Sequence, residues 1–298
     1  MKIIQREHID IQKWNALVSS SPNNSVFSLS TYLDAVAENW CVLTDDNYSK
    51  GIALPFTVRL GIKVVYTPIF VRYLEWFGDE IENLETIKAI IQNEFQHGQL
   101  SSTVCFENKK SDEFIFQISD NQDEQVINSQ AKRMLSKFEK AGFTIHLEAD
   151  EEEILKIIKA ELPQKVSSLN DKSLTSLDAL VKSLKKNQLL KVIAVKKENT
   201  VLGGLFLVEF NQSLLYLKGA FTAESKKEGA MYGVMQFAIE LAKEQNKRFD
   251  FGGSRVEGVR RFNVNLGGKD VIYHSFEWDN SPLWFKILKR VKTAWKRK

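Results

Sequence analysis

The stretch Phe249–Gly268, FDFGGSRVEGVRRFNVNLGG, decides the reading of this chain. A short apolar strand ends in an acid, Asp250. Gly252, Gly253 and Ser254 follow, then a short segment carrying Arg260, Arg261 and Phe262, and Gly267-Gly268 closes the run. A strand that stops in glycines ahead of a basic helical turn lets backbone approach an anionic ligand closely. Glycine has no side chain to hold the ligand away, and a helix start presents unpaired N–H groups. Gly252, Gly253, Ser254, Arg260, Arg261 and Phe262 are therefore candidate substrate-binding residues; a guanidinium offers a two-pronged donor to phosphate or carboxylate. Asp250 is the candidate to orient an acceptor amine or take its proton. Its alternative role is to cap its own turn, as aspartate before glycine often does.

Working outward, a long helix, AMYGVMQFAIELAKEQN, precedes this stretch, and a final strand, VIYHSFEW, follows it. Upstream lie QLLKVIAVKK, TVLGGLFLVEF and SLLYLKGAF, joined by the short loops Glu198-Asn199 and Asn211-Gln212, which predicts antiparallel hairpins. Before them the pattern predicts a helix VINSQAKRMLSKFEKAG stopped by Gly142, a strand FTIHL, a helix EEEILKIIKAEL and a helix over about 174–186. The first half alternates in a similar way. KIIQR is a strand, Asp10 caps a helix reaching about Ser19, and Ser28 or Ser30 caps a helix TYLDAVAEN. CVLT, GIALPFTVRL and GIKVVYTPIFVRYLEWF read as apolar strands with a tight turn at Leu60-Gly61. A helix covers 83–97, and STVCFE and EFIFQI are strands after it. The polar segment Ser119–Gln125 is the expected crossing between halves. The expected class is α+β, with domains at 1–122 and 123–282, each a mixed, mostly antiparallel sheet flanked by helices, and a basic helix at 283–298.

This order resembles the GNAT fold, in the tandem form of the Fem-type peptidyltransferases and their acyltransferase relatives. The residues that carry the likeness are Lys218-Gly219-Ala220 on the last meander strand, the helix Ala230–Gln245, Phe249–Ser254, Gly258, Arg261-Phe262 and Gly267-Gly268. Val26-Phe27-Ser28, Leu54-Pro55-Phe56 and the helix Ala131–Phe143 add to it. The resemblance implies transfer of an activated acyl group to an amine, on a cell-envelope precursor or lipid. The donor would be an acyl-CoA, with acyl carrier protein or aminoacyl-tRNA as alternatives, and no metal. It would lie in the second half, and the acceptor in a groove between the halves. Two departures matter. The family usually has Phe-Lys where this chain has Phe262-Asn263; asparagine donates a hydrogen bond but no charge, which favours a donor other than aminoacyl-tRNA. The pyrophosphate loop of simple GNAT enzymes is reduced here to KKEGAM, Lys226–Met231.

N-acyl transfer asks the protein to hold a carbonyl beside an amine, accept a proton and stabilise an oxyanion. Lys218, Gly219, Lys226, Lys227, Gly229 and Tyr232 are the candidate donor-binding residues, along the strand Leu214–Phe221 and the helix start after it. Asn263 takes the place of the transition-state lysine, and Tyr273 is the candidate proton donor to a leaving thiolate. Arg72, Tyr73 and Trp76, with Glu75 among them, interrupt an apolar run and suit an acceptor pocket, or an amphipathic edge strand. His8, His97, His146 and His274 are scattered, so no metal site is expected. Cys41 and Cys105 read as buried, reduced thiols.

Net charge is +3 over 298 residues, but the last 16 residues carry seven Lys or Arg and no acid. Taking those seven charges away leaves −4, so DNA binding is not expected of the body. On a helical wheel Trp284, Ile287, Leu288, Val291, Ala294 and Trp295 share one face, opposite Lys286, Lys289, Arg290, Lys296 and Arg297. That suits either an anionic membrane surface or a helix laid on the body with a solvated back. No apolar run is long enough to span a bilayer and the start MKIIQREHID lacks a signal-peptide core, so the expected location is cytoplasmic, or peripheral on the inner face of the membrane.

Overall fold

The computed structural model describes residues 1–21, 25–106, 112–120, 124–161, 171–253 and 256–288. The chain forms two compact units, residues 1–113 with 273–298, and residues 114–272.

In the first unit β1 (Lys2–Gln5) leads to α1 (Ile11–Ser20), where Asp10 accepts the Lys13 N–H at 3.1 Å as the expected cap. α2 (Ser30–Val36), β2 (Asn39–Thr44), β3 (Gly51–Arg59) and β4 (Ile62–Val65) follow. Leu60 and Gly61, at φ 51° and 79°, turn β3 into β4 as two left-handed residues must. β5 (Trp76–Phe77), α3 (Leu84–Glu94), capped by Asn83, and β6 (His97–Ser102) complete this part. The sheet order is β1-β2-β3-β4-β6 followed by the last strand of the chain, β13 (Lys269–Asp279), with β5 on β3. Pairing is antiparallel except for β4 on β6.

The second unit contains β7 (Asp112–Ser119), α4 (Ser129–Lys140), β8 (Thr144–Leu147), α5 (Glu151–Glu161) and α6 (Asp171–Lys186). β9 (Leu190–Lys197), β10 (Thr200–Phe210) and β11 (Ser213–Phe221) form the meander. α7 (Ala223–Lys227), α8 (Ala230–Glu244), β12 (Arg248–Gly253) and α9 (Glu257–Asn265) close it. The order is β8-β9-β10-β11-β12-β7, antiparallel except for β11 on β12. The two runs of strands thus repeat one order and one pattern of strand sense. The mixed, mostly antiparallel class expected from the short hairpin loops is what the chain adopts.

α8 positions the site. Ala230, Val234, Ala238 and Ala242 recur every four residues and are fully buried, with Met235 and Ile239 beside them, against Ile193, Leu205, Leu207, Leu214, Phe249 and Phe251 of the sheet. Small residues on this stripe bring the helix close. Gly233 sits under the Phe138 ring of α4, and Gly229, at φ 89°, lies with its α-carbon against the Met134 carbonyl.

Several expectations are corrected. α2 stops at Val36, with neither Ser28 nor Ser30 as its cap, because Ala37 is extended and Asn39–Thr44 is claimed by β2. After β4, residues 66–75 contribute to the sheet only through a bridge at Leu74; the apolar run there carries a proline, Pro68, and Phe70 at φ 68°. The strand following α3 is His97–Ser102 instead of STVCFE. Its residues are poor strand formers, but Gly98 seats the Trp278 ring, with which no Cβ is compatible. KKEGAM is not a loop throughout: Lys226 and Lys227 end α7. Cys41 is buried as expected, whereas Cys105 is exposed.

Candidate functional site

β11 and β12 run parallel and pair only at Ser213–Leu215 against Arg248–Asp250. Both strands are irregular immediately afterwards. β11 bulges at Leu217, where Phe206 faces Lys218 but Leu207 faces Tyr216. β12 bulges between Asp250 and Gly253 on its β7 side. Gly252 takes φ 73° and approaches the Tyr216 carbonyl so closely that a Cβ would lie 2.7 Å from it. Beyond this point the β12 ladder gives the remainder of β11, including Lys218 and Gly219, no partner on that side.

Asp250 makes the bend. Its Oδ1 accepts the Gly252 N–H at 2.9 Å, and the residue is 5 % exposed. Of the two roles open to it from sequence, the turn-forming one is therefore realised in this geometry. Gly253 is exposed; Ser254 lies outside the described residues.

Lys218 is half-buried and makes no hydrogen bond or ion pair among the described residues. Desolvation lowers its pKa below the ordinary lysine value. Lys218 stands opposite Phe206, and Asp250 opposite Leu215 between two phenylalanines of the α8 core. Side chains alternate along strands, so Lys218 and Asp250 belong to the same face of the sheet, the one away from α8. Gly219 lies against β10, where a Cβ would come within 2.8 Å of the Gly204 carbonyl.

Around the start of α8, Thr222 caps α7 through the Ser225 N–H at 3.3 Å, and Lys226 pairs with Glu161 at 3.2 Å. Lys227 is exposed. Gly229 is the left-handed residue that starts α8, and Tyr232 packs edge-on to Phe262 of α9 at 4.7 Å. From α9 a polar chain runs inward. Arg260 holds Asp270, the Gln117 amide donates to Asp270 at 2.9 Å, and the Asn263 amide donates to Gln117 at 2.9 Å. The Arg260 bond, with help from Gln117, holds the Asp270 carboxyl below its usual pKa. Asn263 is 2 % exposed, whereas Arg261 is exposed and has no partner among the described residues. Gln117 and Asp270 were not singled out from sequence. The signal was there in EFIFQI, where a lone amide sits in an apolar strand.

Tyr273 belongs to the first unit. Its ring lies 5.9 Å from Tyr73, which meets Phe27 edge-on at 5.6 Å. The Arg72 guanidinium covers Phe27 and Tyr73, at 5.4 and 5.0 Å from their centroids. Glu75 is buried and accepts the Thr103 hydroxyl at 2.9 Å; the Trp76 indole donates to the Asp79 carbonyl at 2.8 Å. The structure thus joins Arg72, Tyr73 and Tyr273 in one aromatic cluster, and Lys218, Gly219, Asp250 and Gly252 on two neighbouring strands. A cavity of about 750 Å³ also opens in the second unit, lined by Leu147, Asp150, Glu151, Lys185, Lys191 and Gln245 among others, and none of the candidate residues lines it. No group of three or more potential metal ligands occurs among the described residues.

No family model matches the chain, and no curated protein matches it by sequence. Solved structures match it in fold. The chain is similar to FemX, with 14 % identity and a TM-score of 0.69 over 96 % of this chain and 100 % of the other. The fold is of the Fem-type, GNAT-like kind. Similar too, at 10 % identity and a TM-score of 0.59, is the C-terminal domain of a protein assigned as a lysylphosphatidylglycerol synthetase from Agrobacterium fabrum, over 91 % of this chain and 92 % of that one. A GNAT-family acetyltransferase from Colwellia psychrerythraea follows at 11 % identity and 0.50, over 94 % and 100 %. In this Fem-type fold β11 and the start of α8 are the elements that the sequence assigned to the donor.

Proposed function

We propose that the chain is an acyl- or aminoacyltransferase that moves an activated acyl group onto an amine. One observation carries the reading: β11 beyond Leu215 has no β12 partner, and Lys218 stands there half-buried with no ion pair among the described residues. An unpaired stretch of strand offers backbone donors and acceptors to an amide-containing donor arm, and an uncompensated ammonium favours an anionic donor such as a coenzyme A thioester. In the reaction the amine nitrogen bonds to the acyl carbon and the C–S or C–O bond breaks. The amine proton is lost to a base, and the departing thiolate or alkoxide takes one up. Asp250 shapes the bend at Gly252 by accepting its N–H, and Asn263 braces α9 through Gln117. The acceptor reading, an amine on a cell-envelope precursor or lipid, draws on the Fem-type resemblance; a neighbour whose product is by name an aminoacylated lipid supports a lipid acceptor but not the amine, since phosphatidylglycerol offers a hydroxyl. The amine of a soluble amino-sugar or amino acid is the alternative acceptor.

The test is a thermal-shift and turnover screen with acetyl-CoA, longer acyl-CoA thioesters, acyl carrier protein thioesters and aminoacyl-tRNA. A true donor at about 100 times its Kd stabilises the fold by about 2.7 kcal/mol. Thioester cleavage that depends on an added amine supports the reading, and absence of both binding and turnover with every donor overturns it. A second reading, a binding protein that keeps the fold without chemistry, is favoured by one fact: Asp250 and Asn263 are both engaged in structural hydrogen bonds. It predicts donor binding without turnover.

A further inference from the structure

The helix over 283–288 seats one side chain and turns the others outward. Phe285 is 5 % exposed and meets His97 edge-on, 6.2 Å between centroids. Leu283, Trp284, Ile287 and Leu288 are 74, 47, 52 and 48 % exposed. At about 100° per residue these four occupy one arc of roughly 140°, and Phe285 lies just beyond its edge. A helix laid on the body would bury that arc and expose the rest. Over 283–288 the arrangement is the opposite, which favours the membrane reading of the two that the sequence left open.

We propose that this apolar face is a docking surface for an anionic lipid bilayer. Charge complementarity selects the occupant. The 16 residues from Leu283 carry seven Lys or Arg and no acid, on a chain whose remainder is net −4. In the sequence Val291, Ala294 and Trp295 prolong the same apolar arc at helical spacing, with Lys289, Arg290, Lys296 and Arg297 opposite. Tryptophan and leucine beside lysine and arginine suit the headgroup boundary, where rings insert and ammonium groups stay with phosphate. A second copy is a poor occupant, since seven positive charges would meet seven of the same sign. Nucleic acid would satisfy the charges and leave the apolar arc unexplained. The inference does not rest on acyl transfer, and its test contains no activity measurement.

The full chain is sedimented with vesicles of phosphatidylcholine alone and of phosphatidylcholine with phosphatidylglycerol. Binding is expected only to the second kind and is weakened by salt. Two variants dissect it: Leu283→Ser with Ile287→Ser, and Lys289→Gln with Arg290→Gln, Lys296→Gln and Arg297→Gln. Each is expected to lower the bound fraction by about tenfold or more with unchanged circular dichroism. Equal binding to both vesicle types overturns the proposal, as does indifference to both sets of substitutions. So does a dimer in sedimentation velocity that dissociates in the serine variant and never binds vesicles, or retention by duplex DNA in preference to anionic vesicles.

Discussion

Lys218 stabilises nothing that can be seen in the free protein. An ammonium removed from water without a partner costs folding free energy, and the lowered pKa expresses that cost. The sign follows from proton counting. Between the folded pKa and the ordinary value the unfolded chain binds more protons, so stability rises with pH through that window. The penalty is fully present below the folded pKa. Lys218→Met, close in length and apolar, is therefore expected to raise stability at neutral pH by about 0.5–1 kcal/mol, the usual gain when a strained functional group is removed. The advantage over the parent narrows as pH climbs toward about 10.5. Donor affinity is expected to fall at the same time. Urea titration at two pH values, with donor-induced thermal shift, checks both halves; a destabilised variant with unchanged donor binding would show that the amine is structural. Asn263 behaves in the opposite way. Asn263→Lys, which restores the residue that the Fem-type resemblance expects, would bury a charge at a 2 % exposed position against Gln117. It is expected to cost about 3 kcal/mol or more by chemical denaturation. A stable lysine variant with enhanced aminoacyl transfer would contradict that role for the amide.

Among elements, the contact between α4 and α8 is a tight one. Gly229 combines φ 89° with a backbone oxygen 2.2 Å from where a Cβ would stand. Gly229→Ala therefore meets both the left-handed penalty and a clash that only movement of a helix relieves. A loss of about 2–4 kcal/mol is expected, read from the urea midpoint, together with a weaker donor-induced shift because the start of α8 moves. Much of this scale was legible beforehand. The meander loops, the Leu60-Gly61 turn and the cap Asp10 each rest on local chemistry that a sequence displays. The failures share another cause. His97–Ser102 becomes a strand because Trp278, 180 residues later, needs Gly98 beneath its ring. Asp250 bonds to a residue two places on, so its turn was readable, whereas Gln117 and Asn263 meet only in the folded chain. Contacts between distant segments leave no periodic trace, and the engagement of candidate site residues was illegible for that reason.

At the scale of the molecule the decisive feature is the path of β13. The first unit's sheet is not finished by the residues that precede the second unit; its last strand comes from the far end of the chain. Phe276 on that strand stacks on Phe106 and on Trp278, and the Trp278 indole donates to the Phe95 carbonyl at 2.6 Å in the interior. Without it β6 becomes an open edge and a group of buried aromatic rings loses its cover. All six tryptophans belong to residues 1–113 and 273–298, so tryptophan emission reports the first unit alone, while far-ultraviolet circular dichroism reports both. A chain ending at Ile272 keeps Trp14, Trp40 and Trp76. Its emission is expected to shift to the red and to lose its cooperative urea transition, with a cooperative dichroism transition persisting from residues 114–272. Retention of a cooperative tryptophan transition at the parent midpoint would mean that the first unit folds without its returning strand. The synthesis of the chain is then coupled to its folding: the first unit is incomplete until residues 273–279 have emerged, so ribosome-bound chains that stop short of Tyr273 should be cut by protease within residues 1–113 while 114–272 resists.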